Sequence, residues 1–145
     1  MLTEEPVLIE EFVRAGKVKL VFRDVLNHGE RSLRAHEAAS CAGRQQQFWG
    51  MHEILFRDQP ETLAIDNAGL VALMKKKAAG LPDINQAEFA ACVDQRQTLS
   101  RIQATDAEQR KRGINTQPIF EIGAQRYYGR RPIAGWREIL GAAAK

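Results

Sequence analysis

The sequence has few cysteines, no long apolar run and none of the common catalytic signatures. Its 2 cysteines stand at positions 41 and 92, so it contains no Cys-x-x-Cys and no dense disulfide framework. No run approaches the ~18 apolar residues of a membrane-spanning helix, so no membrane span is predicted. Gly-rich phosphate loops, Gly-x-Ser-x-Gly and His-Glu-x-x-His are also absent, which removes the usual sequence signals for nucleotide binding, α/β-hydrolases and zinc proteases.

The charge pattern does not favour a nucleic-acid partner. The net charge is +3, and basic residues cluster at Lys75–Lys77, Arg110–Arg112 and Arg130–Arg131. Such clusters can neutralise phosphates. However, acidic residues are interspersed, and no aromatic residue lies between the bases to form a stacking platform. The clusters are therefore interpreted as solvated helix faces and loop ends, and no nucleic acid is predicted as a partner.

The histidines do not indicate a metal site. None of the 3 histidines, at positions 28, 36 and 52, has ligand spacing with either cysteine. His36 and Cys41 are too far apart in sequence to share one helix face. His52 is interpreted as a histidine at the edge of the core. Neither a metal nor an organic cofactor is predicted.

The size and the N-terminus indicate one soluble domain. A length of 145 residues corresponds to about one domain, and 44% hydrophobic with 27% charged residues is ordinary for a soluble globule. The opening segment MLTEEPVLIEEF is acidic and amphipathic, unlike a signal peptide. As given, the chain is expected to stay in the cytosol.

The residue pattern predicts an order of α-β, a block of four or five helices, and then β-β-α. A first helix capped by Thr3 is followed by a strand at 17–23, because Val18, Leu20 and Phe22 alternate with basic residues. In the helical pattern of 32–56, the small residues Ala35, Ala38, Ala39 and Ala42 should allow close packing, and Gly43 should break the pattern. Three further helices are predicted: one at 67–79, one that begins at Asn85 with Glu88 as a capping box, and one from Leu99 to Gly113. Strands at 118–122 and 126–129, joined by Gly123–Gln125, and a helix at 134–144 follow.

The segment GINTQPIFEIG, residues 113 to 123, has the pattern of a strand with a proline at its head. Proline has no N–H, so Pro118 belongs at the first residue, at an edge or at a bulge. A proline that opens a strand is often cis, in a tight turn that presents backbone to another group. The alternative is an ordinary trans proline that begins an edge strand.

Three segments together resemble the DsbA-like thiol–disulfide oxidoreductases, which have a thioredoxin fold with an inserted helical subdomain. They are SLRAHEAASCAGRQQQFWGMHEILF (32–56), EFAACVD (88–94) and GINTQPIFEIG. The resemblance implies a single α/β domain over 1–145, with a helical insert at about 30–112 and a thioredoxin core at 1–24 and 113–145.

The resemblance also implies a function and a substrate site. Members of the family exchange disulfides with extended polypeptides, need no cofactor and are usually exported. In the family the proline that opens this strand is cis, and the residue before it offers its backbone to the substrate. The corresponding residues are Pro118 and Gln117, where the family more often has Thr, Val or a similar residue before the proline.

The chain departs from the family at the reactive centre. The family's Cys-x-x-Cys opens the first helix, where the helix dipole favours the thiolate, and a strand precedes it. Both are missing, so we expect an N-terminally truncated form, a fragment or a wrong start, or else a redox-dead relative. The alternative function is a non-catalytic peptide-binding or chaperone-like module.

The missing strand lies, in the family, between strand 17–23 and the hairpin. Without it, these two would face a slot one strand wide, and the unpaired edges of that slot favour self-association.

Three interpretations of Cys41 and Cys92 remain open. Some members of the family have cysteines at both positions, so the resemblance implies a structural disulfide as the first interpretation. Otherwise they are two buried free thiols or a surviving redox pair. For Tyr127 and Tyr128, beside Arg130–Arg131, the two interpretations are stacking on a ligand and an exposed hairpin end.

Overall fold

Helices account for most of the fold, and the only sheet in the described part of the chain is one hairpin. The computed structural model describes residues 3–144. Its elements are α1 (Glu5–Leu8), which continues as a π-helical turn (Ile9–Val13), α2 (Gly29–Gly43), α3 (Phe48–Arg57), α4 (Gln59–Ala64), α5 (Leu70–Ala78), α6 (Gln86–Asp94), α7 (Leu99–Lys111), β1 (Ile119–Ile122), β2 (Gln125–Tyr128) and α8 (Ile133–Ala143).

Small residues let α2 pack closely against α3, α5 and α6. Ala38 and Ala42 on α2 are fully buried, so the prediction of close packing at these alanines is confirmed. Met51 of α3 and Phe89 of α6 fill the space between the helices and are also fully buried. Burying one such large side chain stabilises the fold by about 1.5–3 kcal/mol, so this cluster is the main core of the domain.

The helix boundaries follow the sequence pattern in part. Helix α2 ends at Gly43, which confirms the predicted break. Helix α4 was not predicted, and the first helix is not capped as expected: Thr3 donates its hydroxyl to the Glu4 carboxylate and makes no cap bond to the helix backbone. The second half of that helix is π-helical, a form that the apolar spacing does not distinguish from α.

Helix α6 begins with the predicted cap, although only half of the capping box forms. The Asn85 side chain accepts from the backbone N–H groups of Ala87 (3.1 Å) and Glu88 (3.2 Å). The Glu88 carboxylate accepts from the Asn85 side-chain amide at 3.1 Å, while the Asn85 N–H donates to the Gln45 side chain at 2.7 Å. Gln45 thereby ties the start of α6 to the end of α2.

The predicted strand at 17–23 is wrong, because these residues form no strand in the structure. Alternating side chains give a strand its faces, but a strand also needs a neighbour for its backbone groups. Among residues 3–144 the sheet consists of β1 and β2 alone. The predicted slot between two facing strands is therefore not present, and the unpaired strand edges are those of the hairpin.

The hairpin turn is one residue shorter than predicted. Ile122 pairs with Gln125, so Gly123 and Ala124 form a two-residue loop, where three residues were expected. Gly123 has a φ of 58°, a conformation that two-residue hairpin loops require and that glycine adopts without a Cβ clash.

Side chains, in place of a strand ladder, fasten the irregular segment after the first helix. Asp106 on α7 accepts from the Leu26 N–H at 2.8 Å and from Arg110 Nε at 2.8 Å. The buried Asp24 carboxylate lies 2.7 Å from His36 Nδ1. These contacts hold residues 24–26 against α2 and α7.

We expect the Asp106 contact to weaken in acid. Burial raises the pKa of Asp106, but the hydrogen bonds from Arg110 and the Leu26 N–H outweigh it and leave the pKa lowered. A carboxyl group whose pKa is lower in the folded state than in the unfolded state stabilises the fold when the pH is above its unfolded-state pKa. This contribution is lost as the pH falls through the folded-state pKa, below about pH 4. The Leu26 amide proton, followed by NMR from about pH 6 to pH 2, should report this titration. In Asp106→Asn the transition should vanish; an unchanged transition there would assign it to another group.

Candidate functional site

The loop from α7 to β1 is anchored at its beginning. Gly113 ends the helix with a φ of 77°, and the buried Ile114 donates its N–H to the Gln109 carbonyl at 2.9 Å. The carbonyl of Asn115 accepts from the Asn27 side chain at 3.3 Å. The loop is thereby attached to both α7 and the segment before α2.

The next residues leave backbone groups free at the head of β1. Thr116 and Gln117 are exposed, and the Gln117–Pro118 peptide bond is cis. Within residues 3–144, neither the N–H nor the carbonyl of Gln117 has a hydrogen-bond partner. The Pro118 carbonyl accepts from the Gly129 N–H at 3.0 Å, which joins the loop to the end of β2. An extended chain could pair with the free groups of Gln117.

Trp136 of α8 holds the hairpin in place. This residue is 4% exposed, and its ring meets that of Phe120 of β1 edge to face, with centroids 4.5 Å apart. The Arg131 guanidinium lies over both Tyr127 (5.4 Å) and Trp136 (5.8 Å). Tyr127 is thus part of the packing between the hairpin and α8. Tyr128 is 62% exposed, which agrees with the interpretation of an exposed hairpin end.

A carboxylate between two arginines joins the end of α7 to the hairpin. Glu121 accepts from Arg112 Nη2 at 2.6 Å and from Arg126 Nε at 2.9 Å. The hydrogen bond from Arg112 is the main cause of a lowered pKa at Glu121; burial opposes it and Arg126 adds to it. Glu121 is therefore ionised at neutral pH and ties β1 to the end of α7 and to β2.

Cys41 and Cys92 form a disulfide between α2 and α6. The sulfurs are 2.03 Å apart and the Cα atoms 5.9 Å apart. The interpretation of two buried free thiols does not describe this structure, in which neither cysteine is free. Both residues are buried, at 1% and 4% exposure.

A cavity of about 290 Å³ lies beside the disulfide. Arg44 is exposed at this cavity; its Nη1 lies 3.8 Å from Cys92 Sγ and also donates to the Gln97 side chain. The cavity is lined by Cys41, Arg44, Gln45, Glu88, Ala91, Cys92 and Gln97. None of these residues belongs to the loop at 113–118, so the chain has two separate candidate sites.

His36 and His52 occupy structural positions. His52 is buried among aromatic rings, among them Phe22 (5.3 Å between centroids) and Phe56 (4.7 Å), and its Nε2 lies 3.2 Å from Glu5. Within residues 3–144, no three His, Cys, Asp or Glu side chains are grouped closely enough to hold a metal. In the same part of the chain, no helix has the length and apolar character needed to cross a bilayer.

Comparison with known proteins identifies the family. A family model described as thioredoxin matches residues 3–142, nearly the whole chain. The chain belongs to the thioredoxin family. Neither a curated protein nor a solved structure gives a significant match. The thioredoxin assignment fits a thiol–disulfide oxidoreductase in general, and the domain is mostly helical with a small two-stranded sheet.

In this thioredoxin-family domain, sequence reasoning missed the residues that surround the disulfide. Arg44 follows Cys41 by three positions at the end of α2, and Glu88 precedes Cys92 by four positions on α6. Such spacings place two side chains on one helix face, so they were the available signal. The spacings alone did not show that both faces line one cavity.

Proposed function

We propose that this thioredoxin-family domain serves thiol–disulfide exchange of the DsbA type by holding extended polypeptide substrates against β1. The observation that carries the proposal is the exposed loop at Gln117 and Pro118, where the N–H and the carbonyl of Gln117 are without partners among residues 3–144. In this proposal the helices of 30–112 are the family's insert, and the segments 1–24 and 113–145 are its core.

The sheet supports this binding mode. Within residues 3–144, strand β1 pairs with β2 along one edge only, so its other edge and the groups of Gln117 could continue the ladder with an added strand. Main-chain hydrogen bonds tolerate many sequences, which suits an enzyme for unfolded polypeptides. We place self-association at the same hairpin edges, where a second copy would compete with substrate at high concentration.

The disulfide has a structural role in this proposal. It closes a long loop between α2 and α6, and disulfides persist in oxidising compartments. We therefore propose that the domain works in such a compartment, as exported members of the family do.

We expect this chain alone to show no turnover with protein substrates. Exchange needs an accessible thiolate with a nearby resolving cysteine. Residues 1–145 contain no Cys-x-x-Cys, and both cysteines are buried. Insulin reduction by the purified chain should match a control without protein. Clear turnover that disappears in Cys92→Ser would contradict this expectation and make Cys41–Cys92 a catalytic pair.

Binding to the loop can be tested by NMR. Addition of an unstructured peptide with alternating apolar residues should shift the amide resonances of Thr116, Gln117 and β1, and should leave those of Arg44 and Glu88 unchanged. In Gln117→Ala, which keeps the backbone N–H, binding should persist. In Gln117→Pro, which lacks that N–H, affinity should fall about three- to tenfold for one lost hydrogen bond. Shifts confined to other surfaces would refute the proposal.

A further inference from the structure

We propose that the Cys41–Cys92 disulfide is itself an exchange site for small thiols that carry both a carboxylate and an ammonium group. Such a thiol would enter the cavity between α2 and α6 and open the disulfide through a mixed disulfide on Cys41. This site shares no residue with the loop at Gln117 and Pro118, so the inference does not depend on peptide binding there.

The size of the cavity separates small thiols from proteins. Both cysteines line a cavity of about 290 Å³, near the lower limit of sites that take small molecules. A low-molecular-weight thiol can enter a space of this size, whereas a disulfide within a folded protein cannot. The cavity therefore permits exchange with small thiols while the chain remains inactive towards insulin.

The surroundings of the two sulfurs differ in charge. Cys92 Sγ has the Arg44 guanidinium at 3.8 Å, whereas Cys41 Sγ has the neutral Thr98 hydroxyl at 4.0 Å. A nearby cation stabilises a thiolate, and a thiol that is more easily ionised is the better leaving group. Cys92 is therefore the sulfur that leaves, and Cys41 is the sulfur that is attacked.

The exchange balances with two equivalents of the small thiol. The first loses its proton to solvent, and its thiolate attacks Cys41 Sγ; the new S–S bond forms as the Cys41–Cys92 bond breaks, and the electron pair leaves on Cys92 beside Arg44. A second thiolate attacks the sulfur of the bound small thiol and displaces Cys41 as a thiolate. The products are one oxidised small-thiol dimer and two reduced cysteines, which take up two protons.

Two charged groups in the cavity lack ionic partners in the described part of the chain, residues 3–144. Arg44 bonds to the neutral Gln97, and no carboxylate pairs with it among residues 3–144. One Glu88 oxygen accepts from the Asn85 side chain, and within the same residues no cation pairs with Glu88. A thiol with a carboxylate for Arg44 and an ammonium for Glu88 complements this arrangement, which a neutral thiol does not.

The direct test is the rate at which glutathione reduces the native chain. If the thiol attacks through the cavity, the rate should be first order in glutathione and should not change with urea below the unfolding transition. Acid quenching and peptide mapping should find glutathione on Cys41. A rate that follows the urea dependence of global unfolding would overturn the proposal. Glutathione found only on Cys92 would also overturn it.

Variants test the roles of the two charges. Arg44→Gln should slow reduction by about three- to tenfold through the poorer leaving group, and Arg44→Lys should restore part of the rate. Arg14→Gln, at an exposed arginine outside the cavity, is the matched control and should react like the unaltered chain.

A comparison of two thiols tests recognition by the cavity. At equal thiolate concentration, glutathione should react faster than 2-mercaptoethanol, and Glu88→Gln should reduce that preference. Equal rates for Arg44→Gln and the unaltered chain, or for the two thiols, would refute the proposal.

Discussion

Removal of the disulfide should lower the free energy of unfolding by about 4 kcal/mol, which is the chain-entropy value for a loop of this length. Cys41 and Cys92 stand 51 positions apart in the sequence, and their bond restricts the unfolded chain across three intervening helices, α3 to α5. Urea unfolding of the double variant Cys41→Ala/Cys92→Ala, followed by tryptophan fluorescence, measures the change. The expected loss is a large fraction of the ~5–15 kcal/mol typical of a domain.

Chemical reduction provides the matched control for the double variant. The reduced chain keeps both sulfur atoms in the core but loses the cross-link, so it separates the effect of the bond from that of packing. Reduced chain and double variant should be destabilised by similar amounts. If the double variant were within about 1 kcal/mol of the oxidised chain, the constraint on the unfolded state would not be the main contribution of the disulfide.

The second large effect is expected at Trp136. The substitution Trp136→Ala should reduce the free energy of unfolding by about 3–5 kcal/mol, because a large buried ring leaves a cavity between α8 and the hairpin. The same substitution should abolish peptide binding, because Phe120 would lose the ring that holds β1 in place.

Trp49 supplies a control of the same chemistry at the surface. Its side chain is 39% exposed, where that of Trp136 is 4% exposed. Trp49→Ala should therefore destabilise the domain by about 1 kcal/mol, in the range of ordinary substitutions, and should leave peptide binding intact. Equal losses in the two variants would show that the hairpin does not depend on Trp136 for its position.

Local signals in the sequence predicted the helical part of the fold well. The small residues Ala38 and Ala42 indicated close packing, Asn85 indicated the start of α6, and Gly43 indicated the end of α2. Each of these rests on backbone geometry or on residue size within a few positions. Such features act locally, and a single sequence carries them completely.

The failures have a common cause, which is that partners distant in sequence decide the outcome. The alternation at 17–23 describes two faces of a strand but cannot show whether another strand lies beside it. The strand pattern indicated Pro118 and the resemblance to the DsbA-like family added Gln117, whereas Arg44 and Glu88 were not identified as residues of a site. Their importance depends on the proximity of α2 and α6, which the cysteine spacing alone does not establish.

The most direct test of the account is a scan of N-methylated peptides for binding to the Gln117–Pro118 loop and β1. In an antiparallel or parallel ladder, successive residues of an added strand direct their N–H groups alternately towards and away from the neighbouring strand. We predict that N-methylation at every second residue reduces affinity, by about three- to tenfold for each hydrogen bond removed, and that the intervening positions have little effect. A uniform effect along the peptide, or no effect at any position, would contradict binding of extended polypeptides by main-chain pairing at this site.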